Sequence, residues 1–296
     1  MTTALSLINQ THRMLLAGTK EELNEFSSWG NNSATLMNFS YDLRGIQPGA
    51  VLGIDTELMY VVSVNEGMKQ ATVMRGYEGT TSATHDAYSI VTVNPKFAKV
   101  AIFDAMNDTL DDLSGEGLFQ ITTIEQTYNP AINGYDLTGI TALEGVHQVT
   151  VKDPGAAKDW PRIPSREWEV RRNTETDDFS TGFALITRGG GSPGRQLRIE
   201  CKVPFARATA TSDDVNTTCG LPATANDLLK YGAAMKLVYW RETMRNVFEN
   251  QGDSRRAEEV PAGANIGAAR AWQAIYNNRL RTELERLQRQ YPSPVY

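Results

Sequence analysis

The sequence predicts an α+β fold in which a helical domain carries an inserted antiparallel β-sandwich, with a small N-terminal β module in front. Residues 196–205 alternate strictly between apolar and polar side chains, which is typical of a half-buried strand. Apolar residues with helical spacing precede this region at residues 95–113 and return after residue 226. The chain has 296 residues, a length that favours about two domains.

Charge and composition limit the classes of protein to consider. Hydrophobic residues make up 41% of the chain and charged residues 22%, which is ordinary for a globular protein. The net charge is −6, but residues 224–296 hold 11 Lys/Arg against 8 Asp/Glu, so they carry +3 and the rest −9. A mildly basic end tolerates nearby DNA without being a dedicated nucleic-acid binder. No long apolar run or secretory signal is visible, so we expect no membrane contact and synthesis in the cytosol.

The first 94 residues predict an arm followed by a β module. Residues 1–45 are polar and weakly patterned, with a short helix expected within residues 5–16, and we expect this N-terminal arm to be only partly ordered on its own. Residues 46–94 contain β-prone runs separated by turns such as Asn65-Glu66-Gly67. They predict a small antiparallel module of about four strands.

Helices are expected on both sides of the β-sandwich, which we assign to residues 118–206. Residues 95–117 and 220–296 together predict a three-helix domain, with Thr224 or Asn226 capping its second helix. The apolar stripes of the last two helices are wider than one helix face, which favours burial on two sides or contact with another subunit. The candidate residues for packing between subunits are Tyr231, Met235, Trp240, Trp272 and Tyr276.

The sequence contains no recognisable catalytic or metal-binding motif. Its three histidines, His12, His85 and His147, are far apart, and neither Gly-x-Ser-x-Gly nor a phosphate-binding Gly-Lys-Ser/Thr loop is present. Cys201 is expected to be a reduced core thiol, with a disulfide to Cys219 as the alternative. We therefore expect a non-catalytic protein with no cofactor and no metal.

Several polar and aromatic groups allow two interpretations each. The paired acids Asp111-Asp112 fit the solvated end of a helix, and Asp213-Asp214 fit a turn. The alternative for each pair is a divalent cation site. Trp160 and Trp168 fit core positions or a sugar-stacking platform. The arginines of the predicted sandwich fit a solvated face with local ion pairs or an interface with an acidic partner: Arg162, Arg166, Arg171, Arg172, Arg188, Arg195 and Arg198.

A motif in the N-terminal β module resembles a known family of proteins. It begins with Gly53-Ile54-Asp55-x-Glu57 and continues with Arg75-Gly76-Tyr77-Glu78-Gly79-Thr80-Thr81 and Ala83-Thr84-His85. It is similar to a small β module of virion proteins of tailed bacteriophages. Gly76 and Gly79 allow tight turns with positive φ, and Thr80 and His85 can fix the loop by hydrogen bonds. These four residues are the predicted structural loop.

The C-terminal helices carry a second resemblance. Leu228-Leu229-x-Tyr231-Gly232-Ala233-Ala234, then Arg241-Glu242 and a final helix ending at Tyr291-Pro292, are similar to head-to-tail adaptor (connector) proteins of the phage neck. This resemblance implies a helical adaptor-type domain and a homo-oligomeric ring of twelve copies, a dodecamer, in the virion neck. The ring would bind the portal protein and a tail-side stopper or tail protein, and packaged DNA would pass through its channel.

The predicted channel or docking residues lie on the last helix: Arg279, Arg281, Arg286 and Arg289. The predicted sandwich departs from the plain adaptor pattern. Two alternatives therefore stay open: another neck, tail completion or baseplate structural protein, and a carbohydrate-binding module on the virion surface.

Overall fold

The computed structural model describes residues 2–28, 31–129, 131–152, 160–188, 193–244 and 264–292. It is a mixed α+β structure with antiparallel sheets, and it divides into two compact units. The first unit comprises Met1–Thr109, Ala208–Thr218 and Pro222–Asn278. The second comprises Leu110–Arg207, Cys219–Leu221 and Arg279–Tyr296.

The first unit is built around a curled six-stranded antiparallel sheet. Its strand order is β1-β6-β3-β4-β5-β2. The strands are β1 (Glu22–Glu25), β2 (Leu36–Asn38), β3 (Val51–Ile54), β4 (Glu57–Asn65), β5 (Gln70–Met74) and β6 (Ile90–Val93). The two outermost strands meet, because Phe26 and Phe39 form a bridge just beyond β1 and β2. Hydrogen bonds from Ser27 N–H to Asn38 O and from Ser40 N–H to Glu25 O flank this bridge.

The inner face of this sheet encloses an apolar core. Alternate residues along each strand point inward, which is the period-2 rule of a pleated strand. The inward side chains of β3, β4, β5 and β6 are almost completely buried: Leu52, Ile54, Met59, Val61, Ala71, Val73, Val91 and Val93. Phe26 and Phe39 extend the same core, with ring centroids 5.4 Å apart.

The prediction of a partly ordered arm over residues 1–45 was wrong in one respect. Residues 22–25 and 36–38 are the first two strands of the sheet, so the module has six strands and begins well before residue 46. Neither strand contains a β-branched or aromatic residue, which is why the sequence did not indicate them. Their inward residues, such as Met37, complete the core.

Four helices are present in the described part of the chain. They are α1 (Ala4–Leu16), α2 (Lys99–Gly115), α3 (Asn226–Met244) and α4 (Ala264–Gln290). The Thr3 side chain caps α1 by accepting a hydrogen bond from the Ser6 N–H. Asn226 is not a cap of α3 but its first residue, and its side chain bonds Asn216.

The predicted separate three-helix domain is not one of the two compact units. α1 packs against α3 in the first unit, and α2 and α4 are each divided between the units along their length. The apolar residues of α2 account for this division. Ile102 and Met106 are buried in its first half, while Leu110 and Leu113 are buried in the half assigned to the second unit.

The second unit contains two three-stranded antiparallel sheets with a shared core. One sheet has the order β10-β11-β8 and the other β7-β12-β9. The strands are β7 (Gln120–Thr127), β8 (Gly134–Asp136), β9 (Gly145–Val151), β10 (Trp168–Arg172), β11 (Phe183–Thr187) and β12 (Gln196–Val203). Tyr135 and Leu185 from one sheet join Val149, Leu197 and Ile199 from the other in one buried cluster. β12 has the alternating burial that its sequence predicts.

Candidate functional site

The loop between β5 and β6 is fixed by a buried carboxylate at the start of β4. Glu57 is only 1% exposed, and a buried charge is costly unless it is paired and hydrogen-bonded. Arg75, at the end of β5, approaches it in a bidentate geometry. Arg75 Nε donates to Glu57 Oε1 at 2.6 Å, and Arg75 Nη2 donates to Oε2 at 2.7 Å.

Three further donors complete the surroundings of Glu57. His85 Nε2 lies 2.8 Å from Glu57 Oε2, the Ala83 N–H donates to the same oxygen at 2.9 Å, and the Gly76 N–H donates to Oε1 at 3.3 Å. On its other side, His85 Nδ1 lies 3.5 Å from Asp55 Oδ2. We call Glu57, Arg75, His85 and Asp55 the Glu57 clamp.

The clamp stabilises charged forms of its members. Burial opposes ionisation of Glu57, but hydrogen bonds from Arg75, His85 and the Ala83 N–H outweigh it and lower the pKa of Glu57 to about 2. Burial likewise opposes protonation of His85, yet its contacts with Asp55 and Glu57 prevail and raise the pKa of His85. The close contact with His85 also lowers the pKa of Asp55.

Arg75 also connects the clamp to the segment before β2. Its Nη1 donates to the carbonyl oxygens of Asn31 at 2.8 Å and Ala34 at 3.1 Å. A single guanidinium therefore joins three stretches of chain: the turn before β2, the start of β4 and the loop after β5. Fixed donors approach both oxygens of Glu57, so the arrangement suits a structural lock better than proton transfer.

The predicted loop residues lie around this clamp. Gly76 and Gly79 have positive φ values of 63° and 79°. A Cβ atom at Gly76 would lie 2.8 Å from the Thr80 carbonyl oxygen, so the close approach requires glycine. Thr80 Oγ1 accepts a hydrogen bond from the Leu58 N–H at 3.0 Å. His85 contacts Glu57, a partner that the sequence did not indicate because a glutamate at the start of a strand is usually exposed.

The four arginines of α4 do not share one face. Arg281 lies about 200° around the helix from Arg279, and it is exposed. Arg279 and Arg286 both bind Glu283, at 3.2 and 2.6 Å, and that carboxylate is only 3% exposed. Arg289 pairs with Glu285 at 3.6 Å on the exposed side.

The predicted subunit-packing residues are mostly engaged within their own unit. The Tyr231 ring stacks on the Trp272 ring with centroids 5.6 Å apart, and Tyr276 is only 4% exposed. Met235 is half-buried, whereas Trp240 remains 47% exposed. The width of the α3 stripe therefore does not by itself require a neighbouring copy, because α1 packs against α3 within the first unit.

The aromatic and arginine side chains of the second unit form local pairs. The Arg198 guanidinium lies 4.1 Å from the centroid of the Trp160 ring, and the Trp168 indole N–H donates to the Ile163 carbonyl. Trp168 also packs against the apolar core of the two sheets. Glu169 binds Arg171 and Arg188, each at 2.7 Å, as expected for a solvated face with local ion pairs.

The paired acids and the cysteines have structural surroundings. Asp111 pairs with Arg207, and Asp213 accepts hydrogen bonds from the Thr209 and Ala210 N–H groups in a turn. Cys201 and Cys219 are free and buried, and burial raises the pKa of the Cys201 thiol to about 11. No cluster of metal-ligating side chains occurs in the part of the chain that the structure describes. Within the same residues, no helix is long and apolar enough to cross a membrane.

Three further predictions from the sequence concern residues that the structure does not describe: a hairpin turn at 189–191, a charged loop at 253–263 and the last four residues of a C-terminal tail. No protein-family model matches the chain, and no curated protein matches its sequence.

Proposed function

We propose that this chain is a structural virion protein of a tailed bacteriophage, a head-to-tail adaptor that forms a ring between portal and tail and extends the DNA channel. The proposal begins from the two sequence resemblances, in the N-terminal β module and in the C-terminal helices. The Glu57 clamp agrees with a mechanical role, because it locks the motif loop with buried ion pairs rather than leaving reactive groups free.

The observation that carries the proposal is an apolar area on the outer face of the six-stranded sheet. Leu36, Val62 and Met74 are 51%, 55% and 50% exposed, and Tyr60 pairs directly across from Met74. Leu36 and Met74 are diagonal neighbours across β2 and β5. We call these four residues the outer patch. A contiguous apolar sheet face that is open to water in one chain is typical of an interaction surface.

The outer patch replaces the helical stripes as the expected contact between copies. In a closed ring each subunit contacts its two neighbours through two different surfaces. The outer patch can form one side of this contact if a complementary surface lies elsewhere on the chain. Of the four α4 arginines, Arg281 and Arg289 are exposed and are the better candidates for proximity to DNA.

The test is the mass of the purified protein, measured by native mass spectrometry alone and with its portal protein. We expect a ring, with twelve copies as the family resemblance implies. A double variant, Val62→Thr with Met74→Thr, should shift the ring to monomers, because threonine fits a strand but removes apolar contact area.

The matched control is Ile132→Thr, which changes a side chain of similar exposure in the second unit and should leave the assembly intact. A wild-type protein that stays monomeric with and without the portal would contradict the ring. Cryo-electron microscopy of assembled particles then separates the neck from the runner-up locations, a tail completion or baseplate position.

A further inference from the structure

A cleft of about 600 Å³ lies in the first unit, on the side of the sheet away from its core. It is lined by α1, the start of α2, β1, β6 and the turn between β3 and β4. Its volume lies within the range of about 300–1,000 Å³ that is typical of small-molecule sites. Neither the outer patch nor the ring proposal uses this cleft.

The charged groups that face the cleft differ in whether they pair with other described residues. They are His12, Arg13, Glu21, Asp55, Glu57 and Lys99. Glu21 Oε2 binds His12 at 3.2 Å, while its Oε1 accepts a hydrogen bond from the Lys96 N–H at 3.0 Å. Glu57 is enclosed by its clamp, and Asp55 lies against His85. The three acidic groups therefore already have partners.

Two cations of the cleft remain, Lys99 and Arg13, and the Lys99 charge helps to lower the pKa of the Asp55 carboxyl. Neither the Lys99 ammonium nor the Arg13 guanidinium forms an ion pair with any residue that the structure describes. Lys99 is half-buried and is the first residue of α2, where the helix dipole adds partial positive charge. Burial and the nearby Lys99 charge lower the pKa of His12, although Glu21 opposes them. Lys99, Arg13 and the N-terminus of α2 thus form what we call the positive corner of the cleft.

Apolar side chains lie open in the same cleft. Leu23 on β1 and Ile90 on β6 are 57% and 63% exposed, and both line it. They point to the same face of the sheet, because Leu23 pairs with Thr92 and Ile90 lies two residues before it. Exposed apolar side chains in a concave site favour a ligand with an apolar part.

We propose that this cleft binds a small amphipathic anion, with a carboxylate or phosphate group beside Lys99 and Arg13 and an apolar part on Leu23 and Ile90. Such a ligand supplies the negative charge that the positive corner lacks and covers two side chains that are otherwise exposed to water. The proposal does not depend on the ring and remains testable if the protein is a monomer.

Isothermal titration calorimetry of the full-length protein tests the proposal with four probes of equal chain length. Decanoate and decyl phosphate are expected to bind, and the tighter of the two identifies the preferred anionic group. Decylammonium and decanol should bind about tenfold more weakly or not at all, because they cannot pair with Lys99 and Arg13.

Variants then assign the binding to this cleft. Lys99→Gln should weaken decanoate binding about tenfold, and Arg13→Gln and Ile90→Thr should each weaken it by a smaller factor. Lys69→Gln makes the same change as Lys99→Gln at the turn between β4 and β5, outside the cleft, and should bind as the wild type does. Thermal unfolding of each variant checks its fold.

Two results would overturn the proposal. One is binding of decylammonium as tight as that of decanoate. The other is unchanged decanoate affinity in folded Lys99→Gln and Arg13→Gln. Arg13 is exposed, so its substitution keeps the charge test valid even if Lys99→Gln is unstable. Absence of binding by both anions to the wild-type protein would also reject it.

Discussion

The two units differ in how far their paired charged side chains are buried. In the first unit the loop after β5 is held by charges removed from water: Glu57 is 1% exposed and Arg75 6%. In the second unit the comparable polar contacts are at the surface, where Glu169 joins Arg171 and Arg188 and all three side chains are accessible. Buried pairs are expensive to break, whereas surface pairs contribute little. Stability should therefore depend on single polar residues in the first unit and on apolar packing in the second.

The sharpest test of this comparison is Glu57→Gln. Loss of the carboxylate leaves Arg75 and His85 buried without their counter-charge, so the first unit should lose about 4 kcal/mol of unfolding free energy. Hydrogen exchange measured by mass spectrometry on the amides of β4 and β5 reports this local loss. The matched change in the second unit, Glu169→Gln, should leave exchange in β10 and β11 unaltered. An equal increase of hydrogen exchange in the two units would contradict the expectation that only the first unit depends on single polar residues.

The pH dependence of stability should differ between the units as well. Unfolded Glu57 takes up its proton near pH 4.5, whereas the folded state does so only near pH 2. Between these values the unfolded state binds more protons, so the first unit should lose about 3 kcal/mol as the pH falls through this window. Denaturant unfolding followed at several pH values measures the slope, and Glu57→Gln should reduce it to the contribution of other carboxyls with a lowered pKa, such as Asp55.

His85 acts in the opposite direction. Because its folded pKa is raised above 6.5, its contribution is complete below that pH and is lost as the pH rises through the folded value. The variant His85→Gln should therefore flatten the stability profile on the neutral and alkaline side. A wild-type profile that is flat from pH 6 to pH 9 would show that the contacts of His85 with Asp55 and Glu57 contribute no net stability.

The smallest expected difference concerns two glycines with positive φ. Gly76→Ala has to adopt φ near 63° and also meets the Thr80 carbonyl at 2.8 Å, so we expect a loss of about 2 kcal/mol. Gly139 in the second unit has φ of 85° and open space around its Cβ position, so Gly139→Ala should lose about 1 kcal/mol. Chemical denaturation of both variants checks the order, and a larger loss for Gly139→Ala would contradict it.

The sequence predicted the regular parts of the fold and missed those that depend on long-range packing. The strand β12 was predictable because its apolar residues recur at every second position, and the α4 helix because its stripe is long. The strands β1 and β2 were missed, since they contain no β-branched or aromatic residue. Tyr276 was a candidate for contact with another subunit, yet it is buried within one chain, whereas the candidate Trp240 remains 47% exposed. The helical pattern gives the width of an apolar face but does not identify what covers it.

The candidate sites were less predictable than the fold. His85, Thr80 and the two loop glycines stood out because they belong to the recognisable motif that runs from Arg75 to His85. Glu57 did not, because nothing local distinguishes a buried glutamate from a solvated one until Arg75 is brought beside it by the pairing of β4 with β5. The cleft at Lys99 is likewise invisible in the sequence, since α1, β1 and α2 contribute its charges from separate segments.

The meeting of Phe26 with Phe39 limits how copies of this protein can associate. A strand from another chain needs unpaired N–H and C=O groups along a free sheet edge. In the first unit those groups of β1 and β2 turn toward each other, and the hydrogen bonds of Ser27 and Ser40 occupy the seam. Intermolecular strand addition at this seam is therefore blocked. Association at the seam has to proceed by side chains alone, which leaves it reversible and sensitive to single substitutions.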